Sequence, residues 1–319
     1  MNSGPDAAER PTPEVSVVVT VRNEGSRIRT LLGAIGRQTL DRDRFELVVV
    51  DDASDDDTRD IVRAHGLGRL VEQPRHGGLP AGRNAGIRAS LAPIVAFTDG
   101  DCIPADDWLE RGLKRLASDD AEILAGGIRI PVDGSPSIAA LVDAATYLDQ
   151  EGYIKVGFGA GANLWMRRTL FEQHGVFNER VGMYGDEAEL CQRAGRGGAR
   201  LLYAPEVVVV HPARSRVRDL TRKSFRQGYC SAAHRRYGSG LLRDRPPSFR
   251  SLRAYTPRRR VRGVDRLRAD GLDPSGRQIV GMYLYQYAFV QLTRVAGDIS
   301  GEVRHRVAGR RGSPPVPPA

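Results

Sequence analysis

Residues 94–101 read IVAFTDGD, an apolar run that ends in two aspartates one position apart. The run is short and contains β-branched residues, so it predicts a buried strand. Asp99 and Asp101 then lie at the end of that strand, where they can share one divalent cation. Mg²⁺ and Mn²⁺ prefer oxygen ligands and commonly bridge a protein carboxylate to a substrate phosphate. Most isolated aspartate pairs are solvated turns, so this interpretation depends on the rest of the chain.

Strands and helices alternate along the first hundred residues. Apolar, β-branched runs predict strands at 15–21, 45–50, 70–71 and 94–98, and apolar spacing predicts helices at 28–35, 58–64 and 81–90. This alternation predicts an α/β fold with a parallel, doubly wound sheet. Ligands of such sheets bind beyond the carboxyl ends of the strands. Thr20, Asp52 and Asp99 all fall at those ends.

The later part of the chain continues with a looser pattern. Helices are expected at 106–116, 137–149 and from residue 186, and strands at 123–130, 162–166 and 207–210. Beyond residue 212 the chain is rich in arginine. Two more helices are expected there, at 220–237 and 279–299, joined by a connector rich in Pro and Arg.

Charge divides the 319-residue chain into two unequal parts. Residues 1–211 hold 24 Lys and Arg against 32 Asp and Glu, a net charge of −8, whereas residues 212–319 hold 24 against 7, a net charge of +17. Such a split is typical of proteins that meet nucleic acid or an anionic membrane. No apolar run reaches the roughly 18 residues of a membrane span. The N-terminal residues contain no apolar core like that of a signal peptide, and the three cysteines lack the spacing of a disulfide framework. We therefore expect the protein in a reducing cytoplasm.

Aspartates follow the second strand. Acids before a helix satisfy its free N–H groups, which accounts for Asp55, Asp56 and Asp57. Two acids directly on the strand end repel each other unless a donor approaches them. We therefore interpret Asp52, with Asp51 beside it, as an acceptor for a ligand such as the N–H of a nucleotide base.

A glycine-rich turn at residues 77–82 leads into the helix that carries Arg83. Glycine lets the backbone approach a ligand closely, and a helix start favours phosphate. Arg83 would then contact a diphosphate. A surface turn with a solvated arginine explains the same residues equally well.

Three acids, Asp186, Glu187 and Glu189, open a later helix. They can complement the helix dipole, or one of them can remove a proton from an acceptor hydroxyl. Glu187 and Glu189 differ by two positions and point to different faces, so they do not share one role. His211 follows the last strand, where a histidine is more often packed or capping than a metal ligand.

Together these parts resemble the family 2 inverting glycosyltransferases, which have the GT-A fold. The resemblance spans about residues 15–211. Its motifs, in the family's order, are RNE at 22–24, VDDASDDDT at 50–58, RNAG at 83–86, DGD at 99–101, GAN at 161–163 and DEAEL at 186–190. The resemblance implies an α/β nucleotide-diphospho-sugar transferase with a doubly wound mixed sheet, and Mn²⁺ or Mg²⁺ as cofactor.

The resemblance also implies roles for the matching residues. The residues expected to bind the nucleotide sugar are Thr20, Arg22, Glu24, Asp51, Asp52, Arg83, Asp99 and Gly100. Asp101 is expected to ligate the metal, with Asp99 and His211 completing its site. Glu187 is expected to be the base by position, but the family's Glu-Asp pair is reversed here, which leaves Asp186 open. Ala53 stands where the family usually has glycine.

The expected organisation is a disordered N-terminus (1–13), a GT-A catalytic domain (14–212), a basic, mainly helical extension (213–311) and a disordered tail (312–319). The expected partners are a nucleotide-diphosphate sugar, a hydroxyl acceptor that can be lipid-linked, and an anionic membrane surface. Basic residues attract anionic head groups, and the side chains expected in the interface are Tyr283, Tyr285, Tyr287, Phe289 and Leu292. These features predict a cytoplasmic enzyme peripheral to the inner face of the cell membrane.

Two other functions fit parts of the sequence. A sugar nucleotidyltransferase can share this architecture, but residues 21–25 lack the Gly-rich loop with Arg and Lys expected after its first strand. A nucleic-acid-binding protein could use the basic extension, but no aromatic and basic recognition motif accompanies the arginines. Glycosyl transfer in the synthesis of a polysaccharide, glycolipid or other envelope or natural-product glycan is therefore the preferred interpretation. The sequence leaves the sugar, the base, the acceptor and the oligomeric state open.

Overall fold

The computed structural model describes residues 12–132, 134–238 and 263–309. The strands are β1 (Val15–Val21), β2 (Phe45–Asp51), β3 (Arg69–Glu72), β4 (Ile94–Asp99), β5 (Ile103–Pro104), β6 (Ile123–Arg129), β7 (Leu164–Arg167) and β8 (Leu201–Val210). The helices are α1 (Gly25–Gly36), α2 (Thr58–His65), α3 (Leu79–Ala89), α4 (Trp108–Ser118), α5 (Ile138–Thr146), α6 (Gln150–Ile154), α7 (Arg168–His174), α8 (Asp186–Arg196), α9 (Val217–Tyr237), α10 (Val264–Ala269), α11 (Gly276–Tyr285) and α12 (Leu292–Gly309). A π-helical turn, Gln286–Gln291, joins α11 to α12.

The strands form one mixed sheet in the order β3-β2-β1-β4-β7-β6-β8-β5. β3, β2, β1 and β4 run parallel, as the alternating pattern predicts. β7 lies antiparallel between β4 and β6, and β5 is antiparallel to β8, so the parallel arrangement expected from the first hundred residues does not extend to the rest of the sheet. The pattern of buried side chains indicates that a segment is a strand but not which way it runs. The mixed sheet implied by the family resemblance is confirmed.

Helix α3 lies unusually close to β1 because glycines face the strand. A Cβ at Gly82 would lie 2.2 Å from Thr20 Cγ2, and a Cβ at Gly86 would lie 2.2 Å from Val18 Cγ1. Protein interiors are close-packed, so any larger residue at either position would push the helix away from the sheet. The close approach brings Arg83, the neighbour of Gly82, over the edge of the sheet.

One predicted helix ends earlier in the structure, and a second, short helix follows it. Residues 137–149 were expected to form a single helix, but α5 ends at Thr146 and α6 begins at Gln150. Leu148 between them has a φ of +47°, a left-handed conformation that no α-helix accommodates. The Asp149 side chain then accepts a hydrogen bond from Gly152 N and starts the second helix.

The region after β8 is helical, as expected. Helix α9 packs against α12 through glycines: a Cβ at Gly228 would lie 1.9 Å from the Arg294 carbonyl oxygen, and one at Gly297 would lie 2.0 Å from that of Phe225. The described helices include none that is both long and apolar enough to cross a bilayer. Most of the predicted connector, the tail at 312–319 and residues 1–11 of the N-terminus lie outside the described residues. The domain boundaries stay predictions.

Candidate functional site

The predicted site residues meet at one edge of the sheet. β1 and β4 are parallel and in register, so Thr20 pairs with Asp99. β8 runs parallel to β6 and ends at the same edge. There the His211 N–H donates to the Arg129 carbonyl at 2.9 Å. The parallel strands thus bring Asp99 and His211 together although they are 112 positions apart in the sequence.

Asp99, Asp101, Cys102 and His211 form one cluster, with one potential ligand atom from each lying within 4.8 Å of the others. The His211 Nδ1 contacts the Pro212 carbonyl at 2.9 Å. A carbonyl only accepts, so Nδ1 carries the proton and the Nε2 of a neutral ring keeps its lone pair. That Nε2 faces Asp101 Oδ1 at 3.5 Å. Two acceptors that face each other are suited to a cation between them, so this donor set fits Mn²⁺ or Mg²⁺.

Negative charge is concentrated around this cluster. Burial raises the pKa of Asp99; Arg83 opposes that rise and Asp101 adds to it. Burial also raises the pKa of Glu24 to about 7, with Arg27 acting against it and Asp101 and Asp99 adding to the rise. The charge of Asp101 therefore adds to the raised pKa of both Asp99 and Glu24, and a divalent cation would relieve this repulsion.

Cys102 was missed as a neighbour of the acids, because we compared its spacing only with that of the other cysteines. It is fully buried, and β5 directly after it pairs with β8 beside His211. Burial, with the charges of Asp99 and Asp101, raises the pKa of the Cys102 thiol well above its usual value. A protonated thiol is a poor metal ligand, so the carboxylates and the imidazole are the stronger donors here.

Arg83 joins the metal-candidate cluster to the acids of α8. Its Nη1 lies 2.5 Å from Asp186 Oδ2 and 2.9 Å from Glu187 Oε1, and its Nη2 lies 4.0 Å from Asp99. Only 3% of Arg83 is exposed. Burial alone would lower its pKa, but Glu187 and Asp186 outweigh burial and raise it. The expected contact of Arg83 with a base or phosphate stays a prediction, since the guanidinium is already paired with protein carboxylates.

The two acids that start α8 differ in accessibility and charge. Asp186 is fully buried, and burial together with the negative charge of Glu187 raises its pKa well above the usual value. The Glu187 side chain is 14% exposed. Burial would raise the pKa of Glu187 too, but Arg83 outweighs burial and lowers it. Glu187 is therefore the ionised, accessible member of the pair, and Glu189 points elsewhere, to Arg193 at 3.1 Å.

The chain itself supplies donors to Asp52. His76 Nδ1, Gly77 N and Gly78 N all contact its carboxylate, at 2.7, 2.7 and 2.9 Å. The glycine-rich turn thus directs two of its N–H groups to Asp52. Asp51 is fully buried and accepts from Ser54 N at 3.0 Å. Groups of the chain itself therefore donate to both acids, so Asp51 and Asp52 do not require a ligand as donor.

The turns after β1 and β2 are tied together beside the cluster. Asn23 N donates to Ser54 Oγ, and Asp55 N donates to Asn23 Oδ1, both at 3.0 Å. Asn23 and Ala53 have φ values of +56° and +57°, so both hold the left-handed conformation that favours glycine. Ala53 thus keeps the backbone shape expected of the glycine it replaces, at some cost in strain.

Four other predicted residues line this edge. Thr20 Oγ1 and Arg22 Nε are buried with no hydrogen-bond partner among the described residues. Glu24 lies 2.9 Å from Arg27. A Cβ at Gly100 would lie 2.7 Å from Val21 Cγ1, so packing alone accounts for this glycine. The unpartnered groups of Thr20 and Arg22 are the ones that remain available for a ligand.

Sequence reasoning placed Arg214 only in the basic extension, yet it lies beside the cluster. Its guanidinium sits 4.5 Å above the Tyr147 ring, and that ring packs edge-on against His211 at 5.4 Å. Arg214 also lies 3.4 Å from Asp143, which accepts from Lys223 at 2.8 Å. The position of Arg214 three residues after His211 was the available signal.

Comparison with known proteins gives a consistent family match. A family model described as Glycosyl transferase family 2 matches residues 16–175. Glycosyltransferase AglE of Haloferax volcanii is 32% identical over 222 residues, which cover 68% of this chain and 72% of that protein. Pre-mycofactocin glycosyltransferase of Mycobacterium tuberculosis is 30% identical over 225 residues, covering 67% of this chain but 46% of that protein. The chain thus spans less than half the length of the second relative.

Solved structures share the fold. A mannosyltransferase from Pyrobaculum calidifontis, PcManGT, solved with GDP-Man and Mn²⁺, superposes with a TM-score of 0.61 at 22% identity, covering 93% of this chain and 89% of that one. TarS of S. aureus with UDP-GlcNAc gives a TM-score of 0.51 at 15% identity, covering 92% of each chain. The GT-A fold implied by the sequence motifs is confirmed.

Proposed function

This chain belongs to glycosyl transferase family 2 and is a glycosyltransferase, and on that premise we propose that it moves a sugar from a nucleoside diphosphate to an acceptor hydroxyl with inversion. One observation carries the proposal. The two terminal nitrogens of the Arg83 guanidinium approach the carboxylates of Asp99 and Glu187, Nη2 at 4.0 Å from Asp99 and Nη1 at 2.9 Å from Glu187. The donor-side cluster and the acceptor-side base thus lie on either end of one side chain, close enough for a direct displacement.

Asp101, Asp99 and His211 would hold Mn²⁺ or Mg²⁺. When bound, the cation would stabilise the negative charge that develops on the departing diphosphate. The facing acceptors, His211 Nε2 and Asp101 Oδ1, support this assignment. Thr20, Arg22 and Glu24 would bind the nucleotide, supported for Thr20 and Arg22 by their unpartnered buried groups. Asp51, Asp52 and Gly100 would shape the wall of the same pocket.

We assign the role of base to Glu187 and a positioning role to Asp186. Glu187 is the partly exposed member of the pair, and Arg83 and Gly161 N contact only its Oε1. Its lowered pKa keeps it ionised and ready to accept a proton. Glu187 would take the acceptor's hydroxyl proton as that oxygen attacks the anomeric carbon. The bond from that carbon to the diphosphate breaks on the opposite face, and its electron pair leaves with the diphosphate.

The acceptor is proposed to belong to an envelope polysaccharide, a glycolipid or another glycan, and the enzyme to act in the cytoplasm at the inner face of the membrane. The charge split supports this location, since residues 212–319 carry a net charge of +17. Family membership favours this function over the sugar nucleotidyltransferase. A nucleic-acid-binding role has no further support.

Donor class and metal can be tested together. We would measure thermal stabilisation by UDP and GDP, each with and without Mn²⁺, for the full chain and for Asp101→Asn. One nucleotide should stabilise the full chain more when Mn²⁺ is present, and the variant should lose that increment. Equal stabilisation of both proteins by metal and nucleotide would refute the metal assignment.

The base is tested by Glu187→Gln. This variant should lose about 10²–10⁴-fold in kcat while nucleotide affinity stays unchanged, because the side chain touches the acceptor proton and not the donor. Glu189→Gln is the matched control: it lies on the same helix but faces Arg193, and it should keep kcat. Full activity in Glu187→Gln would exclude Glu187 as the base.

A further inference from the structure

The outermost helix of the C-terminal region, here called the outer helix, comprises α11, the π-helical turn and α12, residues 276–309. One side of it packs against α9 through the glycines described above. Its other side carries large apolar side chains that are 50–60% exposed. These form the apolar stripe, which consists of Leu284, Phe289, Leu292, Ile299, Val303 and Val307.

The spacing of the stripe is helical. Its members recur at intervals of three, four or seven residues, which are one or two helical turns, apart from a five-residue step that enters the π-helical turn. At 1.5 Å per residue the stripe extends for roughly 35 Å. Soluble proteins rarely expose contiguous apolar surface of this length unless it binds something. The stripe therefore points to a partner.

The charges of the outer helix indicate which partner. Its sequence contains two acids, Asp298 and Glu302, and both contact Arg235 of α9, Glu302 at 3.0 Å. Its four arginines, Arg277, Arg294, Arg304 and Arg306, are all exposed. By helical position Arg304 and Arg306 flank the stripe on either side. Glu302 Oε2 also lies 3.9 Å from the Nε of Arg306 on the outer helix itself. Four arginines against two acids still leave an excess of positive charge beside the apolar surface.

We propose that the apolar stripe and its flanking arginines dock the enzyme onto an anionic lipid bilayer, with the outer helix lying in the plane of the interface. An amphipathic helix of this kind buries its apolar face at the level of the head groups, while basic side chains contact anionic lipid. The inference deepens the proposed membrane location by naming the surface responsible.

This assignment changes the sequence-based choice of interfacial residues. Tyr285 is 6% exposed and its hydroxyl donates to the Val217 carbonyl at 3.1 Å, so it belongs to the helix contact and not to the interface. Tyr283 is partly buried, and the side chain of Tyr287 lies outside the described part of the structure. Phe289 and Leu292 are exposed, as expected.

The test is co-sedimentation of the full chain with vesicles of phosphatidylcholine containing about 30% phosphatidylserine, and with vesicles of phosphatidylcholine alone. The full chain should bind the anionic vesicles and should release them as salt is raised. The double variant Leu292→Asp with Ile299→Asp should bind the anionic vesicles at least about tenfold more weakly, because two negative charges would enter the interface. Both positions are more than half exposed, so the fold should tolerate the change.

The matched control is Leu91→Asp, which introduces the same charge at a leucine that is 65% exposed but lies in the sheet domain. It should bind vesicles like the unaltered chain. Failure of the unaltered chain to bind anionic vesicles would overturn the proposal. So would a stripe variant that keeps its vesicle binding, or one that only converts a dimer to a monomer, since a second copy would then be the partner.

Nucleotide-dependent thermal stabilisation, measured on the same proteins, separates the two proposals. The stripe variant should keep the nucleotide response of the unaltered chain. Loss of that response in every protein would contradict the donor assignment and leave the docking result standing.

Discussion

Replacing Arg83 by methionine removes the guanidinium that contacts Asp186 and Glu187 at the start of α8. The two contacts are 2.5 and 2.9 Å long, and all three side chains are at least 86% buried. At an effective dielectric constant of about 20, Coulomb's law gives each contact roughly 6 kcal/mol of attraction, most of which offsets the burial of the charges. Removing one partner of a buried pair costs about 3–5 kcal/mol, because the remaining charge is left unpaired. We expect a loss of that size in the free energy of unfolding.

The loss should also depend on pH. Arg83 holds the pKa of Glu187 below its ordinary value, so in the unaltered chain this carboxylate stabilises the fold above its unfolded pKa. Without Arg83, burial should raise that pKa above the unfolded value. A carboxyl with a raised pKa loses stabilisation as pH rises. The deficit of the variant should therefore be larger at pH 8 than at pH 5.

Urea denaturation followed by circular dichroism at both pH values measures the effect. The control is Arg111→Met, which breaks a 2.6 Å contact to Asp107 between side chains that are 49% and 38% exposed. Such a pair contributes about 0–1 kcal/mol. Adding Asp186→Asn and Glu187→Gln to the Arg83 variant should recover much of the loss. A deficit below about 1 kcal/mol, or one independent of pH, would refute the buried triad as described.

Three further predictions concern stability, each measured by urea or thermal denaturation. Ala53→Gly should stabilise by about 1 kcal/mol, because glycine adopts the left-handed φ of +57° without strain; a loss would show that the loop is not strained. Gly112→Ala should cost about 1–3 kcal/mol, because its Cβ would lie 2.3 Å from the Trp165 ring, and an unchanged midpoint would contradict this packing. Asp143→Asn should cost about 3–5 kcal/mol, because Lys223 is only 7% exposed and would lose its 2.8 Å partner; a change under 1 kcal/mol would mean that water reaches the ammonium.

The sequence predicted the first half of the sheet accurately because local pattern and tertiary role agree there. β1, β2 and β4 are continuous apolar runs, and each is buried between helices, so their pattern has one interpretation. β7 has a similar pattern but runs in the opposite direction. Direction depends on how the preceding chain crosses the sheet, which side-chain spacing does not encode.

The site residues, like the strands, could be predicted from the sequence only in part. Asp99 could be placed at the sheet edge from the sequence, since parallel strands share their carboxyl ends. The pairing of Arg83 with Asp186 could not, because it joins residues 103 positions apart and depends on the close approach of α3 to β1. The donors to Asp52 were missed for a related reason: a glycine-rich turn offers N–H groups, but its pattern does not show where they point.

The outer helix contains a further case, in which residue type suggested the wrong face. Tyr285 and Leu292 both looked interfacial, yet contact with α9 buries the first and leaves the second exposed. Hydrophobicity alone does not decide which side of a helix meets the protein. The glycines that admit a neighbouring backbone do, and Gly297 marks that side.

The π-helical turn at Gln286–Gln291 makes the outer helix sensitive to its own length. Such a turn holds one residue more than an α-helical turn, and each residue of an α-helix rotates the next by about 100°. From Leu284 to Val303 is 19 positions, over which an unbroken α-helix would rotate about 100° beyond whole turns, and the extra residue of the π-helical turn takes up that excess so that both side chains lie on one face. Inserting a second residue there would rotate Leu284 about 100° away from Val303 and divide the apolar surface into two short segments that face different directions.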